Sequence, residues 1–168
     1  MPRRMPRRRV PIVALAAALL AVPGSAETAV ALTDTVPAPP KAESDRPQGL
    51  QTVVAAARKR VGAGYAMGAT GPGAYDCSGL TMAAFASAGI ALPHSSFAQY
   101  GMGKAVDRGQ VRAGDLVFFD TNGPGPSHVG VATGRTTVIS ATSSGGVMEH
   151  PSTDAYWGSA YVGARRPT

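Results

Sequence analysis

One cysteine and three histidines are the residues best equipped for covalent chemistry in this chain: Cys77, His94, His128 and His150. A thiol beside an imidazole can carry out acyl transfer, the ring taking the proton while the sulfur attacks a carbonyl carbon. Cys77 follows a glycine-rich loop, Gly71-Pro72-Gly73, and stands where a helical pattern opens, with Asp76 as a candidate N-cap. Free amide N–H groups and the positive end of a helix dipole favour the thiolate at such a position. The competing reading of a lone cysteine is a small buried hydrophobe, and position alone leaves the two evenly matched. His128 opens the run Ser127-His128-Val129-Gly130-Val131, so it can project from a strand end into a cleft. His94 lies in a Pro-led loop, and His150 precedes a proline. A cysteine at a helix start with a later histidine on a strand has the logic of a thiol–imidazole dyad. The chain has no compact Cys/His ligand set, so a zinc site is not expected, and no metal or other cofactor is required by this chemistry.

The elements that must position these groups change in texture along the chain. Leu50 to Ala57 reads as a helix stopped near Gly62, and Cys77 to Ala88 as a second helix closed by Gly89. Ser95 or Ser96 can cap a short third helix running through Tyr100. After Gln110 come short β-type runs, at 116–119, 128–132, 136–139 and 160–163, separated by Gly, Pro and Asn. Helices first and strands later predict an α+β domain, its N-terminal helices packed on a mainly antiparallel sheet.

The chain's 168 residues carry a net charge of +6, which at first sight points to a polyanion partner. Five arginines, however, lie within the first nine residues, and no acid precedes Glu27. Basic residues 3–9, the apolar stretch Val10–Val22 and the small residues Gly24-Ser25-Ala26 have the three-part form of a secretory signal peptide, expected at 1–26. Its apolar part is too short for a stable membrane anchor. Without it eleven basic and ten acidic residues remain, so a nucleic-acid partner loses its support. Residues 27–47, centred on Val36-Pro37-Ala38-Pro39-Pro40, are too polar and Pro-rich to bury a core and read as a disordered linker. The folded unit is expected at 48–168 and to act as a monomer outside the cell or in the envelope or periplasm.

The residues also match a family. Tyr65 to Leu80 (YAMGATGPGAYDCSGL), then LPHSSFAQ, GDLVFF, SHVGVATG and YVGARR, in this order, resemble the NlpC family of bacterial cell-wall endopeptidases over essentially the whole folded unit. The resemblance implies a compact papain-like α+β fold. It also implies hydrolysis of peptidoglycan stem peptides, commonly between D-glutamate, through its γ-carboxyl, and the diamino acid. By motif, Cys77 is similar to the nucleophile and His128 to the general base. Tyr65 matches a tyrosine that faces the cysteine and helps hold the oxyanion, with the Cys77 backbone N–H as a second donor. Asp76 and Ser78 match substrate-binding positions, although helix capping is at least as good a role for Asp76. Ser96 and Gln99 are expected only to shape the loop and helix beside the cleft.

One departure stands out. The family usually places a polar residue, most often His, on the strand after His128, and here Ser140 occupies that place. Its task would be to orient the imidazole through the ring nitrogen facing away from the thiol. A serine is shorter than a histidine, which leaves room for a bridging water. Ser140 can be the orienter, His150 can reach in from the next strand, or the site can work as a dyad or be impaired; the distance of His150 along the chain favours the first and last. The impaired case corresponds to a peptidoglycan-binding protein without strong turnover, and a related amidase or acyltransferase is a further alternative on the same scaffold. A milder departure is His94, which stands where Arg is common and is expected to alter substrate contacts at the cleft edge.

Overall fold

The computed structural model describes residues 48–168. The signal peptide expected at 1–26 and the linker expected at 27–47 lie outside the described residues. Helix α1 (Gln48–Arg58) buries Leu50, Val53, Val54 and Ala57, a stripe at helical spacing. Helix α2 (Cys77–Ala86) buries residues nearly all round, including Leu80, Ala84 and Phe85, so it runs through the middle of the core. A two-stranded parallel pair, β1 (Gly64–Tyr65) and β2 (Ala74–Tyr75), lies between them in sequence. Short helix α3 (Ser96–Tyr100) follows, capped by the Ser95 hydroxyl, which accepts from the Ala98 N–H.

The remaining chain builds one six-stranded sheet from β3 (Lys104–Val106), β4 (Leu116–Phe119), β5 (His128–Ala132), β6 (Thr137–Thr142), β7 (Gly146–Pro151) and β8 (Tyr161–Arg166). Its order is β3-β8-β4-β5-β6-β7, with every neighbouring pair antiparallel. This is the α+β arrangement expected from the sequence. The continuous apolar run of β4 has a direct explanation in burial on both faces. Leu116 and Phe118 join the core under α1 and α2, while Val117 and Phe119 join a second cluster on the opposite face. Helix α4 (Ala155–Ser159) carries Trp157 onto that second face.

The structure adds elements beyond the expected runs. The strand expected at 136–139 extends to Thr142, and the one at 160–163 to Arg166. Strands β3 and β7 and helix α4 had no expected counterpart. Strand β3 is an edge whose Lys104 and Ala105 are exposed, and in β7 exposed Met148 and Glu149 stand side by side, so neither alternates as a half-buried strand should.

Two of the recognised motifs are tied together by one ion pair. Asp115, fully buried at the start of β4, accepts from Arg166 through both carboxylate oxygens, at 2.7 and 2.8 Å, and from the Arg112 N–H at 2.8 Å. The fork geometry locks β8 against β4. Asp115→Ala should therefore cost about 2–4 kcal/mol, because it strands a half-buried guanidinium and an amide. Thermal unfolding should show the midpoint falling by roughly 10 °C; an unchanged midpoint would mean that the pair contributes nothing.

Candidate active site

Cys77 is the first residue of α2, and the loop before it is drawn in by Asp76. The Asp76 carboxylate accepts from the N–H of Gly79 at 2.6 Å and of Gly68 at 2.8 Å, and from the Ser78 hydroxyl at 3.2 Å. His94 Nε2 sits 2.9 Å from both of its oxygens. Burial pushes the Asp76 carboxyl up, but the Gly79 N–H, His94 and the Gly68 N–H together hold it below the usual carboxylate range. Gly79 has to be glycine here, since any Cβ would collide with the Ala69 carbonyl that receives the Asp76 N–H.

The sequence offered capping and substrate binding for Asp76, and the observed bonds are those of a cap. Ser78 is likewise buried, and its hydroxyl is committed to Asp76. His94, expected at the cleft edge, turns inward onto that carboxylate. Gln99 has the shaping role expected of it: its side-chain amide donates to the carbonyls of Ser78 and Pro93 and accepts from the Thr81 hydroxyl. It thereby fixes the His94 loop to α2. Ser96 is buried at the start of α3.

The sulfur of Cys77 lies against the start of β5, within reach of the Val129 backbone N–H. That is the residue after His128, so topology brings the helix start and the strand start together. Burial pushes the Cys77 thiol above its ordinary range; the Val129 N–H pulls it back, and the Asp76 charge adds to the rise. The expectation that a helix start would favour the resting thiolate is corrected on this point, because desolvation outweighs the backbone donors. Tyr65 is the other group facing this corner: burial raises its phenol, and the Cys77 and Asp76 charges raise it further. Its hydroxyl points toward Met67 Sδ, at 3.9 Å.

His128 is 2% exposed, and burial, with His150 adding to it, pushes its imidazole down to about 4. Its Nε2 is 3.0 Å from Ser140 Oγ, a direct contact that needs no bridging water. Gly130 makes the contact possible: it pairs with Ser140 across β5 and β6, and a Cβ there would collide with Val138 and crowd Ser140. Ser140 Oγ is also 2.8 Å from His150 Nε2. His150, judged too distant along the chain, does reach the site, though through Ser140. The β6–β7 hairpin closes the separation by pairing Ser140 with Met148 and Val138 with His150, which puts His150 diagonal to Ser140 on one face. Trp157 covers the group, stacked on His150 with ring centroids 3.9 Å apart.

Beside His128 a hollow of about 260 Å³ is lined by Thr121, Asn122, Thr142, Ser143, Tyr156 and Trp157 among others. Its hydroxyl and amide groups suit a polar peptide. A separate hollow of about 340 Å³, between Arg108, Arg135 and Tyr161, includes none of the residues just described. Among the described residues no group of three or more His, Cys, Asp or Glu could hold a metal ion, and no helix is long and apolar enough to cross a membrane.

The NlpC/P60 family profile matches residues 62–166, which takes in every one of these side chains. The chain belongs to the NlpC/P60 family. Among curated proteins, this NlpC/P60 domain is 45% identical over 93 residues to a probable endopeptidase p60 of Listeria monocytogenes, covering 55% of this chain and 19% of that protein. It is 42% identical over 104 residues to a probable endopeptidase of Corynebacterium glutamicum, covering 62% and 48%. The chain thus matches from about a fifth to about half of the length of these relatives. Among solved structures, it superposes on an NlpC/P60 family protein from Bacillus cereus with a TM-score of 0.64 at 29% identity, covering 70% of this chain and 39% of the other. It also superposes on the peptidoglycan hydrolase RipB from Mycobacterium tuberculosis with a TM-score of 0.61 at 30% identity, covering 71% and 64%.

Proposed function

We propose that this NlpC/P60 domain is a cysteine endopeptidase that hydrolyses peptidoglycan stem peptides at the bond between the D-glutamate γ-carboxyl and the diamino acid. The observation that carries the reading is the buried Cys77 sulfur at the N–H of Val129, the residue that follows His128, whose Nε2 is already held by Ser140. Relatives described as probable endopeptidases and as a peptidoglycan hydrolase support the substrate class.

The resting pair is a neutral thiol and a neutral imidazole, since burial opposes charge on both. On attack, the Cys77 proton passes to the free Nδ1 of His128 as the sulfur adds to the carbonyl carbon. The oxyanion is held by the Cys77 backbone N–H at the start of α2 and by the Tyr65 hydroxyl. Collapse breaks the C–N bond, His128 protonates the leaving amine, and a thioester remains on Cys77. Water, giving its proton to His128, then releases the γ-carboxylate and restores the thiol. Asp76, Ser78 and His94 act behind the nucleophile by fixing the loop and helix start.

Digestion of defined stem-peptide fragments followed by mass spectrometry tests the bond. Products should carry a new γ-carboxylate and a new amino group on the diamino acid, whereas release of the whole stem from the sugar would identify an amidase instead. The binding-only alternative rests on Ser140 alone, and the direct Ser140–His128 contact favours the endopeptidase reading over it. Residues 1–26 are proposed to direct export to the envelope or beyond, followed by a linker to the domain at 48–168. The intact mass of the exported protein should then begin at Glu27.

A further inference from the structure

The third catalytic position is filled by a hydroxyl, and a hydroxyl is ambivalent: it can donate to an imidazole or accept from one. Only one of these serves the reaction. If Ser140 donates to His128 Nε2, the ring proton of a neutral His128 sits on Nδ1, and no lone pair is left there for the Cys77 proton. If Ser140 accepts, the proton sits on Nε2 and Nδ1 is a base.

The direction is settled two steps away. His150 Nδ1 lies 2.9 Å from the Pro151 carbonyl oxygen, which can only accept, so Nδ1 carries the His150 proton. Burial pushes the His150 imidazole down, which keeps the ring neutral and leaves its Nε2 a bare acceptor. The Ser140 hydroxyl, 2.8 Å away, therefore donates to His150. Its remaining lone pairs face His128 Nε2 at 3.0 Å and accept the Nε2–H. All three residues are at most 5% exposed, so these bonds are made away from bulk water. Trp157 on His150 and Phe119 beside both rings hold the imidazoles in place.

We propose that His150 is a positioning residue that commits the Ser140 hydroxyl to accept from His128, so that His128 presents an unprotonated Nδ1 to Cys77. The inference rests on the thiol–imidazole reading of the site. It makes serine adequate in a place where a lone hydroxyl would leave the tautomer undetermined.

Nitrogen-15 NMR of histidine-labelled protein at neutral pH reads the tautomers directly. The wild type should show His128 as the Nε2–H form and His150 as the Nδ1–H form. His150→Phe keeps a ring against Trp157 but removes the acceptor. It should shift His128 toward the Nδ1–H form and lower kcat by about 10- to 100-fold with KM within about twofold. Adding Ser140→Asp to that variant supplies a carboxylate, which can only accept, and should return His128 to Nε2–H and recover at least tenfold of the lost kcat. A wild-type His128 in the Nδ1–H form overturns the proposal, as does His150→Phe with both tautomer and kcat unchanged. If His150→Phe does not fold, the wild-type spectrum decides by itself. A wild type that fails to cleave stem peptides would defeat the proposed function, while the spectra would still judge the relay.

Discussion

Cys77→Ala will abolish release of peptides from purified peptidoglycan, with kcat/KM falling by at least about 10⁴-fold. In the proposed mechanism the change removes the covalent nucleophile and leaves only binding and the oxyanion donors, with no second thiol to take its place. Cys77 is the only cysteine, and the adjacent Ser78 is buried and donates its hydroxyl to Asp76. The fold should survive the change, since losing one buried sulfur costs on the order of 1 kcal/mol. Circular dichroism and wall binding should thus be close to wild type while turnover disappears. Normal hydrolysis by the folded variant would show that Cys77 is not the nucleophile.

The second large effect is on acid. In the proposed mechanism turnover needs a neutral His128, and burial has moved that imidazole from the usual value near 6.5 to about 4. Stem-peptide hydrolysis should therefore persist through pH 5 and drop to half near pH 4, whereas with an ordinary histidine it would fall to half near pH 6.5. Stability carries the same signature through proton linkage. A histidine whose folded value lies below its unfolded one contributes fully above the unfolded value and loses that contribution as pH falls toward the folded one. Between about pH 6.5 and 4 the domain should lose roughly 3 kcal/mol from His128. His150, pushed down in the same sense, adds to the loss. Asp76 is held below the usual carboxylate range, so its contribution is lost only in stronger acid. Urea unfolding at several pH values beside the rate profile reads both effects, and a half-maximal rate near pH 6.5 would sink this picture of a buried base.

Much of this site was legible in the residues. Asp76 before Cys77 marked a helix start, Ser127-His128-Val129-Gly130-Val131 marked a strand entering a cleft, and the apolar run at 116–119 marked a buried strand. The quantities that burial controls were not legible. A helix start predicts a lowered thiol, but the depth at which α2 lies under the sheet reverses the sign. His150 is disfavoured on the sequence for a different reason: its strand shows no clean alternation, and only the pairing of β6 with β7 turns ten residues of separation into a hydrogen bond. His94 illustrates the same limit, since nothing local says that a loop histidine turns inward onto Asp76.

Trp157 is the chain's only tryptophan, and it lies face to face with His150. An indole in van der Waals contact with an imidazole changes its emission when that imidazole gains a proton, because the cation quenches the excited ring. The protein thus carries its own optical gauge of protonation at His150. Plain fluorescence, with no label and no substrate, can therefore report the acid titration of His150.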